Sequence, residues 1–596
     1  MKAKIYFLLL AMPLLSVPNL QGKSVKTYKE PQCLYSECPQ AAVTHVEFAD
    51  TATVVSFRLS GHPYEQFVLP ERIYACGDDG GRYSVRRMEG TDDGRRLWLS
   101  GDGTAEFRLV FENMPADTKC LDIVNIGNNA VFRFFGIHDR RHAPKIKERE
   151  EAVDRSEVAE DVRRRGTAVI RGRIADYSPE WRLDFIKCYH RPLFSGADLT
   201  GESYPVMARI NNNGEFEMTL DTDFPVFSYL TAGLGGSFAD IQFYIRPGDT
   251  LDVEIRGMRD GLPETEYRSS SAAGCFTNLL QHGIQPAWYS HGPNFHRSTE
   301  VIAGDMDAFL DRTMRLCDYI SAKYGMSPWE THILKTGQRL AVLDAFLYAM
   351  NTADHYREEV VRNGMPQDKA GDAGDADFGI LAEMPLDDPT ALLFGGMFES
   401  AARQLMSSRL FRGGSVPEGV QRLDRLAGRS GGTPLMVETA LAGSAEPGGS
   451  PLTGSYAVPQ GAGGDILRSI IGESGKYTEL VCISSPEAGR RLLGDRMTNL
   501  LTDFRDSGDI RFVFVFDGGA FTQEEYENFI RNGLDGGACH RVSREDFTDM
   551  REALHFTGGT VVRTLDRDGQ VMRTPLSLDN ETYFRSSLRR LLQAKQ

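Results

Sequence analysis

The sequence predicts a multidomain protein: two N-terminal β-sandwiches, then an α-helical segment, then a C-terminal α/β domain. Three observations carry that prediction. Apolar residues alternate with period two between Gly/Asp turns in the first part of the chain, the period changes to that of amphipathic helices over 268–411, and strand and helix patterns alternate over 466–594. A chain of 596 residues is too long for one core, and about one domain per 150 residues suggests roughly four.

The chain opens with Met1-Lys2-Ala3-Lys4, an apolar run from Ile5 to Val17, and Leu20-Gln21-Gly22. A basic start, a short apolar stretch and a small residue at the boundary describe a secretory signal peptide over 1–22, so the expected location is periplasmic or secreted. No second run is long and apolar enough to span a membrane, and the first cysteine, Cys33, stands too far along to suggest a lipid anchor. The net charge of −16 and the absence of a Lys/Arg stripe argue against nucleic acid. A protein or peptide partner in the envelope is the expectation.

The first sandwich is assigned to 42–137. Val43-Thr44-His45-Val46-Glu47-Phe48, Thr53–Leu59 and Ala105–Phe111 alternate cleanly and are separated by clusters such as Gly77-Asp78-Asp79-Gly80-Gly81. In 138–165 charge dominates, as in Lys145-Ile146-Lys147-Glu148-Arg149-Glu150-Glu151, and the segment reads as a linker, partly helical and solvated. Alternation returns over 166–257, the second sandwich, with Asn211-Asn212-Asn213-Gly214 as a hairpin turn.

Over 268–411, Met306, Phe309, Leu310, Met314 and Cys317 share one helical face, and Leu340, Leu343, Phe346, Leu347 and Met350 share another. A break at Gln367–Asp375 and a helix start at Leu386-Asp387-Asp388-Pro389 fall within this segment. Residues 412–464, rich in Gly, Pro and Ser toward their end, read as a connector.

In 466–594 the reading runs strand (Lys476–Ile483), helix (Ala488–Phe504), a near-continuous apolar strand (Ile510–Phe516), helices at Gln523–Asn532 and Glu545–Leu554, the hairpin around Asp566-Arg567-Asp568-Gly569, and a closing helix Asn580–Leu592. This order and that hairpin resemble the TlpA-type thioredoxin-like envelope family over about 130 residues. Phe107–Pro115 and the Pro247-Gly248-Asp249-Thr250-Leu251 turn resemble the upstream modules of its large multidomain members. The resemblance implies a thioredoxin-like fold and thiol-disulfide exchange through a Cys-x-x-Cys at a helix start, faced by a cis-proline. On the family pattern the two cysteine positions fall on Glu487 and Arg490, or one residue earlier on Pro486 and Gly489, and the proline position falls on Thr560. Neither register supplies a thiol.

Exchange needs an attacking thiolate and a resolving thiol. What stands there instead suits a plain helix start: Ser484 or Ser485 as cap, Pro486 in the first turn, and Glu487 near the positive end of the helix dipole. The expectation is therefore an exported thioredoxin-like protein whose redox site is lost, serving as a binding or scaffolding module. The alternative is an oxidoreductase that uses a displaced thiol, Cys482 or Cys539. Other chemistry is weakly marked. Cys539 and His540 are neighbours in a strand and so point to opposite faces. His282, His291 and His296 match no tight metal spacing, and neither a Gly-x-x-x-x-Gly-Lys-Ser/Thr loop nor a Gly-x-Ser-x-Gly elbow is present, so no metal or cofactor is expected. The chain has nine cysteines, an odd number; Cys33 with Cys38, and Cys76 with Cys120, are the first disulfides to test against buried reduced thiols.

Overall fold

A computed structural model describes residues 24–593, except 126–131, 154–165, 191–205, 269–298, 363–374, 445–454 and shorter stretches of one to six residues. The signal peptide assigned to 1–22, the break at 367–374 and His282, His291 and His296 lie outside the described residues. The chain divides into two compact units, 1–146 and 147–596.

The first unit holds strands β1 (Ser24–Lys29), β2 (Tyr35–Ser36), β3 (Ala41–Ala49), β4 (Thr53–Ser60), β5 (Gln66–Val68), β6 (Ile73–Cys76), β7 (Arg82–Glu89), β8 (Arg96–Trp98), β9 (Thr104–Phe111), β10 (Cys120–Asn125) and β11 (Phe134–His138). Nine of them form one sheet in the order β1-β3-β4-β9-β7-β6-β10-β11-β2, and β5 pairs with β8 alone. Tyr28, Phe48, Phe57 and Leu109 from one end of the sheet meet Ile123, Phe134 and Ile137 from the other in one core. The expected sandwich is thus a continuous sheet folded over on itself, beginning at Ser24 rather than residue 42. Register shifts in β3, in β7 and between β10 and β11 supply local bends that a flat ladder lacks.

The second unit begins with β12 (Gly166–Ile174), β13 (Phe185–Cys188), β14 (Val206–Arg209), β15 (Glu215–Thr222), β16 (Val226–Ala232), β17 (Ala239–Ile245), β18 (Thr250–Arg256) and β19 (Glu264–Tyr267). They form two four-stranded sheets, β15-β12-β18-β19 and β14-β13-β16-β17, around a core that includes Ile170, Leu220 and Val253 from one and Ile186, Leu230 and Phe243 from the other. The turn at 211–214 forms as expected. Asn211 Oδ1 accepts from the N–H groups of Asn213 (2.9 Å) and Glu215 (3.0 Å), and Gly214 has φ +78° with no room for a Cβ beside the Ile174 carbonyl. It does not make a hairpin, because β14 and β15 enter different sheets. The turn chemistry is local, whereas burial of apolar residues on both sheets decides where the strands go.

Helices α1 (Thr299–Lys323), α2 (Pro328–Arg362), α3 (Gly395–Ser407), α4 (Val416–Ala427) and α5 (Leu435–Ser444) follow. Leu423, Met436 and Val437 lie in the same core as Met306, Leu343, Phe346 and Phe398, so the helical layer extends well into the expected connector at 412–464. The capping box between Ser415 and Glu418 starts α4 there, and Gly428 ends it at φ +62°. Truncation of Leu423 to Ala would cost about 2–5 kcal/mol.

The last layer is a six-stranded sheet, β20-β25-β24-β21-β22-β23, built from β20 (Ser455–Tyr456), β21 (Tyr477–Ile483), β22 (Ile510–Asp517), β23 (Ala538–Val542), β24 (Thr560–Leu565) and β25 (Val571–Met572). β21, β22 and β23 run parallel, and β24 is antiparallel to β21. α6 (Ala462–Ile471) and α10 (Arg544–Ala553) cover one face. α8 (Asp495–Phe504) and α11 (Glu581–Gln593) cover the other, with α7 (Pro486–Leu492) and α9 (Gln523–Gly533) completing the layer. Ile510–Phe516 is apolar almost throughout because Phe512, Phe514 and Phe516 enter one core while Val513 and Val515 enter the other. The helix expected over 488–504 is described as Pro486–Leu492 and Asp495–Phe504, with 493–494 outside the described residues, and the layer starts at β20, ahead of the expected boundary at 466.

Candidate functional site

The residues singled out in the C-terminal layer meet where β21 passes into α7 beside the start of β24. Ile483 pairs with Thr560, and the ladder runs one step further as the Ser484 N–H donates to the Gly559 carbonyl at 2.8 Å. The Ser484 hydroxyl donates to the same carbonyl at 2.7 Å. Ser485 then caps α7, its Oγ accepting from the Ala488 N–H at 3.2 Å, with Pro486 as the first helical residue.

Glu487 and Arg490 are both exposed on α7. Glu525, at the start of α9, is held below the usual carboxylate range by the N–H and hydroxyl of Thr522, and Arg490 adds a smaller favourable charge. Gly489 is buried: a Cβ there would stand 3.1 Å from the Phe529 ring and 3.3 Å from Ile483. A side chain at 489 therefore requires the neighbours to move. Thr560 is half-buried, and no cis peptide occurs among the described residues. A Cβ on Gly559 would approach the Ala488 Cβ to 3.1 Å, so α7 and β24 are already in close contact.

Cys482 is fully buried in β21, and burial pushes its thiol up to about 12, with Arg563 opposing weakly. Cys539 is half-buried in β23, pushed up to about 11 by the same cause. The register puts Cys482 in line with Val515 and His540, and Cys539 in line with Phe514 and Val481. Cys482 packs under α6 and α10, Cys539 on the opposite face. The two sulfurs are thus separated by the sheet, and His540 is turned away from Cys539.

The other expected thiol pairs do not form. Cys33 and Cys38 are unbridged: the Cys33 sulfhydryl donates to the Tyr35 and Phe135 carbonyls, and Cys38 lies in the first unit's core. Cys76 stands opposite Asp122, not Cys120, which is two residues along the strand. Such diagonal neighbours are about 7–8 Å apart, beyond easy disulfide reach.

Three polar groupings escaped the sequence reading. Glu479 is fully buried in β21; the Thr564 hydroxyl bonds it at 2.8 Å, and burial lifts its carboxyl to about 8. Asp184, beside β13, accepts from Arg544 at 2.7 Å and from the buried Arg551 at 2.9 Å, both on α10, while Arg551 lies over the Phe185 ring. Arg209 of β14 adds a bond to Asp549 at 2.5 Å, so α10 is tied to the preceding sheet pair by five charged residues and a ring. The third grouping surrounds Glu151, in the stretch expected to be a solvated linker. Its carboxylate meets His332, Lys335 and Arg339 of α2, and the expectation of a free linker is corrected for residues 149–152. The signal for Glu479 and Arg551 was a charge inside an otherwise apolar strand or helix face. For Glu151 a run of alternating charges hid it.

Among the described residues no group of three or more His, Cys, Asp or Glu side chains could hold a metal ion, and no helix is long and apolar enough to cross a membrane. No family model matches the chain, and no curated protein does. Among solved structures it is similar to the thioredoxin domain of a thiol-disulfide oxidoreductase from Bacteroides vulgatus, with 14% identity, 20% of this chain and 82% of that one covered, and a TM-score of 0.18. A second structure from the same organism, assigned as a thiol-disulfide oxidoreductase, gives 18% identity, coverage of 25% and 93%, and a TM-score of 0.17. A thioredoxin-like protein from Bacteroides caccae gives 10% identity, coverage of 53% and 92%, and a TM-score of 0.17. TM-scores this low leave the chemistry of the site to be argued from the chain's own geometry.

Proposed function

We propose that this is an exported, multidomain protein of the TlpA-type thioredoxin-like kind that has given up dithiol chemistry and works as a binding or scaffolding module of the cell envelope. The observation that carries the reading is the content of the α7 start. Glu487 and Arg490 stand on its exposed side, Gly489 is packed against Phe529, and the Gly559 carbonyl accepts twice from Ser484. Nothing there can attack a disulfide or resolve one.

The two remaining thiols of this layer do not replace the pair. Each is raised by burial, which disfavours the thiolate, and they lie on opposite faces of the sheet. The scaffolding half of the reading draws on α10, whose Arg544 and Arg551 are both bonded to Asp184 in the preceding sheet pair. A helix used in that way serves assembly within the chain.

The test is a disulfide-reductase assay on the purified mature protein, with Cys482→Ser and Cys539→Ser beside it. Turnover at background in all three is expected. Robust reduction that either substitution abolishes would sink the proposal and install the displaced thiol in its place.

A further inference from the structure

Residues 149–152 lie against α1 and α2 of the helical layer, and the contacts they make are those of a ligand. The Arg149 N–H donates to Asp318 Oδ1 of α1 at 2.9 Å, and the Ala152 N–H donates to the Pro328 carbonyl at 3.2 Å. Between them the Glu151 carboxylate is received by three cations spaced along one face of α2. Oε2 lies 3.1 Å from His332 Nδ1 and 3.0 Å from Arg339 Nη1; Oε1 lies 3.2 Å from Arg339 Nη2 and 3.2 Å from Lys335 Nζ. The spacing 332, 335, 339 puts all three on adjacent turns of the same helix face.

Two further carboxylates hold those cations in place. His332 Nε2 is 2.9 Å from Asp388 Oδ2, and Lys335 Nζ is 2.8 Å from Asp318 Oδ1. Trp329 lies nearly parallel to the His332 ring, with centroids 5.9 Å apart. Both nitrogens of His332 therefore face carboxylates, which requires the doubly protonated ring. Three cations then meet three anions. Without Glu151, three cations face two carboxylates in a site where the Lys335 side chain is only 4% exposed. An uncompensated charge in such a place is costly.

We infer that α2 carries a carboxylate-binding socket, formed by His332, Lys335 and Arg339 and pre-set by Asp318 and Asp388, which Glu151 fills in cis, and that a small free carboxylate takes its place when the Glu151 side chain is removed. Residues 149–152 are on this account a strap held by a displaceable plug. The ligand class is a monocarboxylate of about acetate size, since Arg339 grips both oxygens and the other two cations leave little room for a longer stem.

The test uses the full mature chain and its Glu151→Ala variant at neutral pH. Trypsin cleavage after Lys147 and Arg149 is followed by mass spectrometry, in sodium acetate and in sodium chloride at matched ionic strength. Cleavage confined to those two bonds should be faster in Glu151→Ala by about tenfold or more. Acetate should slow it toward the wild-type rate and chloride should not, with wild type indifferent to both. Cleavage of the variant at the wild-type rate would overturn the proposal; so would equal protection by chloride, or no protection by acetate. Should Glu151→Ala fail to fold, Glu151→Gln keeps the shape and loses the charge. Faster cutting there that acetate does not slow supports the socket, because the amide occupies it, and a wild-type rate or acetate protection overturns it.

Discussion

Glu151 and Glu479 are the same residue type, both withdrawn from water, and the protein treats them in opposite ways. Burial alone would raise Glu151, but hydrogen bonds from His332 and Arg339 and the charges of Arg339 and Lys335 hold it far below the usual carboxylate range. Glu479, in the middle of the C-terminal sheet, has the Thr564 hydroxyl as its hydrogen-bond partner among the described residues and is lifted to about 8. The first is a charge in a cage of charges, the second a neutral acid in an apolar wall. Neighbours, not depth, decide which form a buried carboxyl takes.

The largest expected effect breaks the cage from its other side. Lys335→Met leaves Glu151 and Asp318 short of a shared cation, and urea unfolding of that variant should show a loss of about 3–5 kcal/mol in the transition of the helical layer. Next comes the wall. Because Glu479 keeps its proton to about 8 when folded and only to the ordinary 4.5 when free, folding holds a proton that the unfolded chain has released between those values. Stability is then fully present below pH 4.5 and falls as pH rises to 8, by at most about 4–5 kcal/mol. Glu479→Gln should remove that slope from a pH series of melting temperatures; an unchanged slope would mean the carboxyl is already charged.

A smaller effect belongs to His332. Burial would lower it, but its bonds to Asp388 and Glu151 lift it to about 9 from 6.5. Its contribution is complete below pH 6.5 and is lost as pH rises through 9, about 1–2 kcal/mol once partial solvent screening is allowed for. His332→Gln should flatten that alkaline limb while leaving the limb due to Glu479. The smallest is Thr564→Val, which takes away the hydroxyl bonded to Glu479 and should cost about 1 kcal/mol, read by thermal melting at pH 5.

Much of the layering was legible because it is written locally. Alternation marked β3, β4 and β9, the 3.6-residue period marked α1 and α2, and the 566–569 turn forms as its residues demand, with Asp566 Oδ1 accepting from Asp568 and Gln570 and Gly569 at φ +76°. Ser543 caps α10 by accepting from the Asp546 N–H at 3.0 Å. What escaped was written across distance. Glu151 and His332 are separated by 181 positions, and Asp184 and Arg551 by 367. A charge run such as 145–151 has the same appearance whether it is solvated or seated in a socket, because only the partner distinguishes the two. The 211–214 turn teaches the same point: Asn-Gly chemistry sets a bend, and nothing within four residues says which sheet the next strand will join. At the α7 start, the sequence named the residues that occupy the family positions, but the packing of Gly489 on Phe529 depends on a helix 40 positions away.

The sheet that separates Cys482 from Cys539 also makes the pair a two-channel clock. Cys539 is partly open to solvent, while Cys482 is sealed between β24, β22 and α10. A thiol-reactive dye added to the native protein would mark Cys539 at a rate set by local breathing of β23, and Cys482 only when the whole layer comes apart. The ratio of the two labelling rates then measures how far local opening runs ahead of global unfolding.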